Sequence, residues 1–175
     1  TANRLRQIME AIGFDVMDRG IEPIAKKNRN SKYPEFTMRC KPIQDRSICP
    51  VHQYGSGAEG RYRLVLVTKN ATIPELVGAL AANQGRATLL FYRGLLNQSQ
   101  RKTFIKEIYR ATGGSGLLID DSTILYLCRI SDFRLPVMFQ ITLPFTKVNP
   151  YWIERGKTPV EMFYGRKEEL EQIIN

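Results

Sequence analysis

The chain has 175 residues, of which 43% are hydrophobic and 25% are charged, a composition typical of a soluble globular protein. This length allows one domain with a hydrophobic core and is too short for two large domains. No apolar run approaches the roughly 20 residues of a membrane-spanning helix, and a count of three cysteines argues against a disulfide framework. We therefore expect a cytoplasmic protein that has no membrane partner.

The chain is strongly basic, with 26 lysines and arginines against 17 acidic residues and a net charge of +9. Such an excess favours an anionic partner without identifying it. One basic run includes Lys26, Lys27, Arg29 and Lys32, which could contact the phosphates of a nucleic acid. A solvated loop is the alternative for this run. Nucleic-acid binding is therefore an alternative hypothesis for the function.

The first 60 residues predict a helix followed by an irregular, basic segment. Apolar residues recur at helical spacing in residues 2–12, and Gly13 is placed to end the helix. Residues 14–17 could form a short strand. We expect residues 35–60 to be irregular. We treat 1–60 as a segment that precedes the main domain.

The irregular segment contains Cys40, Cys49 and His52 in the pattern C-x8-C-x2-H, which makes these residues weak candidates for a zinc site. Structural zinc prefers four ligands, usually as two close pairs, and only Cys49 and His52 have that spacing. A Cys49–His52 nucleophile pair would also need an orienting third group, and none is marked in the sequence. We favour two partly buried thiols and a surface imidazole.

Residues 61–148 alternate between apolar runs and helix-length segments. The runs at 64–67, 87–92, 116–119 and 136–143 predict strands that are covered on both faces. Strands separated by helices favour parallel pairing. We therefore predict an α/β domain with a three-layer, open, mostly parallel sheet of about four central strands and flanking helices.

The helix after the first of these strands has a clear start signal. Thr72 and Glu75 match the T-x-x-E capping box, and Pro74 stands in the first turn, where a missing amide donor does no harm. The sequence therefore predicts a helix that begins directly after Thr72.

Polar residues follow the predicted strands, and ligands of open α/β sheets bind beyond the carboxyl ends of the strands. These positions hold Lys69, Arg93, Asp120 and Asp121, so a ligand of this domain is expected there. Two adjacent aspartates after a strand are also typical of a Mg²⁺ site, and a Mg²⁺-dependent enzyme is a third hypothesis. Capping of the next helix by Asp121 and Ser122 is the favoured interpretation.

Residues 149–175 differ from the rest of the chain and predict a proline- and aromatic-rich linker followed by a helix. Phe163, Gly165 and Arg166, with Glu169 and Leu170 after them, resemble the opening of the ATPase module in STAND and Cdc6/Orc-like AAA+ proteins. In those families this stretch lies beside the adenine pocket. The likeness is limited to about residues 159–174.

The resemblance implies that the chain is the N-terminal domain of a larger regulatory ATPase. No Walker A or Walker B motif occurs in the 175 residues, so ATP and Mg²⁺ are expected only for the complete parent protein. We expect a non-catalytic sensor or interaction domain, in signalling or defence. Its partner would be another protein or its own ATPase module.

Overall fold

The computed structural model describes residues 2–25, 32–68, 70–82, 87–112 and 116–143. The chain divides into two compact units, Thr1–Pro144 and Phe145–Asn175. The second unit lies outside the described residues, and so do Phe163, Gly165 and Arg166. Within the described ranges, no helix has both the length and the apolar character to cross a membrane.

The first unit is built on a five-stranded open sheet whose strands follow one another in chain order. The strands are β1 Val16–Pro23, β2 Glu35–Cys40, β3 Arg61–Val67, β4 Ala87–Tyr92 and β5 Leu117–Asp120. The pairings of β1 with β2 and of β2 with β3 are antiparallel, whereas β3, β4 and β5 pair in parallel. The sheet is therefore mixed rather than mostly parallel.

Five α-helices cover the two faces of the sheet in the described ranges. They are α1 Ala2–Ile12, α2 Ile73–Ala81, α3 Gln98–Thr112, α4 Asp121–Arg129 and α5 Arg134–Thr142. Buried residues of α1, α4 and α5 form one hydrophobic cluster with the sheet, and buried residues of α2 and α3 form another. The predicted three-layer α/β architecture is confirmed for this unit.

The strand and helix around residue 70 form as the sequence predicts. Leu64, Val65 and Val67 of β3 have no exposed surface. The Glu75 carboxylate accepts a hydrogen bond from the Thr72 amide at 2.9 Å, and the two residues form the expected capping box of α2. Burial of the β3 side chains between two helical layers explains why this run carries no polar alternation.

The strand predicted at residues 136–143 is wrong, because this region forms α5. Its buried residues are Leu135, Met138, Phe139 and Leu143, which are spaced as on one face of a helix rather than on alternate positions of a strand. Pro136 falls in the first turn of α5, where its missing amide costs no hydrogen bond.

A further strand lies in the region expected to be irregular. β2 pairs with β3 from Glu35 opposite Val65 to Arg39 opposite Arg61, so the sheet includes strands on both sides of residue 60. The connections β1–β2 and β2–β3 contain no described α-helix, and a parallel crossover needs a connection that is usually helical. The lack of a described helix in these two connections favours the antiparallel pairing of β1, β2 and β3.

Candidate functional site

The structure brings together three of the four residues expected at the carboxyl edge of the sheet. Tyr92 of β4 stands opposite Asp120 of β5, so Arg93 and Asp121 follow at the same edge. The Asp121 amide donates to the Gly94 carbonyl at 3.1 Å and joins the two strand ends. Lys69 lies outside the described residues.

Asp120 is fully buried and caps α4. Its Oδ1 accepts hydrogen bonds from the Thr123 amide at 3.0 Å, the Thr123 hydroxyl at 2.9 Å and the Ser122 hydroxyl at 2.9 Å. Its Oδ2 forms an ion pair with Arg101. The predicted capping function is present, but the cap is Asp120 rather than Asp121 or Ser122.

The environment of Asp120 determines its charge. Burial on its own raises the pKa of this carboxyl, but hydrogen bonds from the Arg101 side chain, Thr123 and Ser122 outweigh burial, so the pKa lies below its usual value. Asp120 is therefore a carboxylate at neutral pH, and its negative charge faces the N-terminal end of α4, where the helix dipole also favours it.

Arginine side chains neutralise both edge aspartates. Arg93 Nε lies 3.0 Å from Asp121 Oδ1 in a pair that is open to solvent. Arg101, in the first turn of α3, pairs with Asp120 and also donates to the Ser122 hydroxyl at 2.7 Å. No signal in the sequence marks Arg101, because its position depends on how α3 starts beside β4 and β5.

The edge therefore has the geometry of a fixed polar network. Each aspartate is already paired with a guanidinium group, and Asp120 is held by five hydrogen-bond donors or cationic groups in all. In the described part of the chain, no group of three or more His, Cys, Asp or Glu side chains is arranged to hold a metal ion. The network fixes α3 and α4 against the ends of β4 and β5.

Within the described residues, Cys40, Cys49 and His52 do not form a group that could hold a metal ion. Cys40 and Cys49 are buried, and each thiol donates to a backbone carbonyl, of Gly60 at 3.6 Å and of Val51 at 3.5 Å. Burial raises the pKa of Cys40 to about 12 and that of Cys49 to about 11, so both are neutral thiols at physiological pH. His52 is exposed and lies 2.9 Å from the Ser56 hydroxyl through Nδ1.

Of the four basic residues proposed for nucleic-acid contact, the structure describes only Lys32. Its ammonium group pairs with Glu75 and lies 5.1 Å from the centre of the Tyr33 ring. The Lys32 hydrogen bond is the main cause of the lowered Glu75 pKa, which is about 2. Lys26, Lys27 and Arg29 lie outside the described residues.

A second ion pair that the sequence did not indicate lies inside the unit. Arg63 of β3 and Glu35 of β2 are diagonal neighbours, since Arg63 stands opposite Thr37, and both side chains are fully buried. Arg63 donates to both Glu35 oxygens, at 2.7 and 3.0 Å, and to the Ala79 carbonyl of α2 at 3.0 Å. The pair ties the antiparallel half of the sheet to the helix above it.

The described unit is thus a three-layer α/β structure with a mixed five-stranded sheet and an arginine–aspartate network at one edge. Comparison with protein-family models, with curated proteins and with solved structures gave no match to this chain. The STAND or AAA+ relationship therefore stays a prediction from residues 159–174.

Proposed function

We propose that the chain is a non-catalytic sensor or interaction domain that precedes the ATPase module of a STAND or Cdc6/Orc-like AAA+ protein, with a role in signalling or defence. The likeness at Phe163, Gly165 and Arg166 supports this family. The α/β unit before it would act as the recognition domain, whose partner is another protein or its own ATPase module. ATP and Mg²⁺ would be ligands of the complete protein.

The arginine pairing of both edge aspartates supports the non-catalytic part of this proposal. Mg²⁺ is usually held by one or two carboxylates together with waters or substrate phosphates. At this edge the ion would compete with Arg101 for the buried Asp120 and with Arg93 for Asp121. A Mg²⁺-dependent enzyme that uses Asp120 and Asp121 is therefore less well supported than a structural network.

The residues encoded after Asn175 test the family directly. We expect a G-x-x-x-x-G-K-[ST] motif within a few dozen positions, because that loop would supply the phosphate contacts of the ATPase module. A protein extended through this module should bind and hydrolyse ATP. Arg166→Ala should weaken nucleotide binding by the extended protein, since its counterpart lies beside the adenine pocket in the families it resembles.

Arg155→Ala is the matched control, because it removes one arginine of the same terminal segment outside the motif. Equal nucleotide affinity in the Arg166 and Arg155 variants would contradict the assignment, as would a downstream sequence without a phosphate-binding loop. Mg²⁺-dependent turnover by the 175-residue chain, lost in Asp120→Asn, would instead support the enzyme hypothesis.

Nucleic-acid binding is the second candidate, and it is favoured by the net charge of +9. Phosphate neutralisation makes the affinity fall steeply with salt, with a log–log slope of about −0.9 for each phosphate contact on duplex DNA. Lys32 is a poor contact for this purpose because its charge is already paired with Glu75. Weak binding at near-physiological salt would remove this candidate.

A further inference from the structure

Two arginines of the sheet stand directly opposite each other. Arg39, near the end of β2, is paired in register with Arg61, the first residue of β3. Residues opposite each other on antiparallel strands have Cβ atoms roughly 4.5–5.5 Å apart on the same face of the sheet. Both arginines are exposed, so two guanidinium groups share one small area of surface.

The face that carries them can be assigned from the alternation of β3. Arg63 bonds to Ala79 of α2, and Arg61 lies two residues earlier, so it projects from the same face. At Arg63 this face is fully buried, whereas at Arg61 it is exposed. The arginine pair therefore lies where the cover provided by α2 ends and the face becomes open to solvent.

The repulsion between the two guanidinium groups is not compensated within the described part of the chain. Like charges directly opposite on neighbouring strands are destabilising, and neither Arg39 nor Arg61 forms an ion pair with a described carboxylate. In contrast, Arg63, Arg93 and Arg101 each have an acidic partner. An anion with several oxygens would relieve the repulsion.

We infer that Arg39 and Arg61 form a binding site for the phosphate backbone of a double-stranded nucleic acid. This inference deepens the second candidate function above, nucleic-acid binding, and rests on it. Arginine binds phosphate oxygens through a planar fork of donors and keeps its charge at any physiological pH. A third exposed arginine, Arg19, lies on the neighbouring strand β1, within the segment where the pairing of β1 with β2 shifts its register.

The neighbouring residues favour a duplex over the other polyanions. The paired positions beside Arg39 on this face are Thr37, which is polar, and, across from it, Glu22, which carries a negative charge. Single-stranded nucleic acids are usually bound with aromatic side chains on which bases stack, and these positions provide none. A membrane surface would need adjacent apolar side chains, and the exposed Met17 of β1 is a single residue.

The test is fluorescence anisotropy of a labelled duplex of mixed sequence with the 175-residue chain and its Arg39→Gln/Arg61→Gln variant. We expect the wild-type chain to bind at near-physiological salt. The double variant should bind about tenfold or more weakly, because charge-assisted hydrogen bonds are lost. Its log–log salt slope should be smaller by about two, one for each lost phosphate contact.

Lys102→Gln/Lys106→Gln on α3 is the matched control, because it removes two exposed cations and lowers the net charge from +9 to +7, as the arginine variant does. This control should retain most of the affinity. Equal losses in both variants would overturn the site and leave only an effect of net charge. Failure of the wild-type chain to bind the duplex would also overturn it, as would equally tight, Arg39- and Arg61-dependent binding to anionic vesicles.

Thermal unfolding of the variants separates a binding role from a structural one. Arg61→Gln should leave the melting temperature unchanged or raise it by a few degrees, since it removes a repulsion. A clear fall would show that the pair supports the fold, and it would overturn the assignment. These results do not depend on the sequence after Asn175, so failure of the binding site and failure of the ATPase family are distinguishable.

Discussion

Replacing Glu35 with glutamine should lower the free energy of unfolding by about 3–5 kcal/mol, the usual cost of removing one partner from a buried ion pair. Glu35 and Arg63 are both fully buried, and glutamine keeps the volume of the side chain but not its charge. The Arg63 guanidinium would then be left inside the unit without a counter-charge. Only its bond to the Ala79 carbonyl, at 3.0 Å, and a neutral acceptor at position 35 would remain.

The assay is urea unfolding followed by far-UV circular dichroism, with thermal unfolding as a second measurement. At about 2–4 °C per kcal/mol for a unit of this size, the expected fall in melting temperature is about 6–20 °C. Glu10→Gln is the control, because it breaks the exposed pair between Glu10 and Arg6 and should leave the unfolding midpoint unchanged.

A double replacement tests the physical reason for this loss. Glu35→Leu/Arg63→Met removes both charges together and should recover most of the lost stability, because well-packed apolar side chains can replace a buried ion pair at little cost. A loss below about 1 kcal/mol for Glu35→Gln, as for an exposed pair, would refute the reasoning. A double variant no more stable than the single one would refute it as well.

Three further outcomes follow from individual side chains. The folded-state pKa of Asp120 lies below its usual value, so the Asp120 carboxylate stabilises the fold above its unfolded pKa of about 4, and this stabilisation is lost as the pH falls through the folded pKa. The melting temperature of Asp120→Asn should therefore vary less with acidic pH than that of the wild-type chain. A melting profile that keeps the wild-type dependence on pH would contradict this. In the folded chain, a thiol-reactive reagent should quickly label only the exposed Cys128. Cys40 and Cys49 should react slowly, because burial raises the pKa of Cys40 to about 12 and that of Cys49 to about 11. Rapid labelling of the Cys128→Ser variant would contradict the burial of Cys40 and Cys49. Phe139→Ala should lower the free energy of unfolding by about 3–5 kcal/mol, because Phe139 is fully buried in the cluster beneath α5, and denaturant unfolding with a negligible loss would contradict the packing of this helix.

The parallel half of the fold could be predicted because its signals are local. The β3 run is apolar and bounded by charge, and the Thr72–Glu75 capping box marks the start of α2 within the sequence itself. Asn97 similarly caps α3, as it accepts from the Gln100 amide at 2.8 Å and its own amide donates to the Gln100 side chain at 2.9 Å. Such signals need no knowledge of the tertiary structure.

The antiparallel half was harder to predict because its signals are weaker. In β2, Phe36, Met38 and Cys40 are buried at alternate positions, which is the period of a strand with one apolar face. The alternation was available in the sequence, but it covers only six residues and includes polar side chains. The pairing of β1 with β2 shifts its register between Val16 and Ile21, so β1 has no regular alternation.

The error at α5 has a different cause. Val137, Phe139 and Ile141 alternate with other side chains, as in a strand, and the helical spacing of Leu135, Met138 and Phe139 competes with that pattern. A short apolar segment of this kind is ambiguous from periodicity alone. Packing against the cluster that contains α1 decides the outcome in favour of the helix.

The partners of the candidate site residues depend on long-range contacts that no sequence spacing encodes. The two aspartates at the sheet edge were predicted, but Arg101 is 19 residues from Asp120 and Arg63 is 28 residues from Glu35. The arginines of the unit differ in their partners. Arg63, Arg93 and Arg101 each pair with a carboxylate, whereas Arg39 and Arg61 stand opposite each other. Because an uncompensated pair of like charges costs stability, this contrast points to an anionic ligand at the open face of β2 and β3.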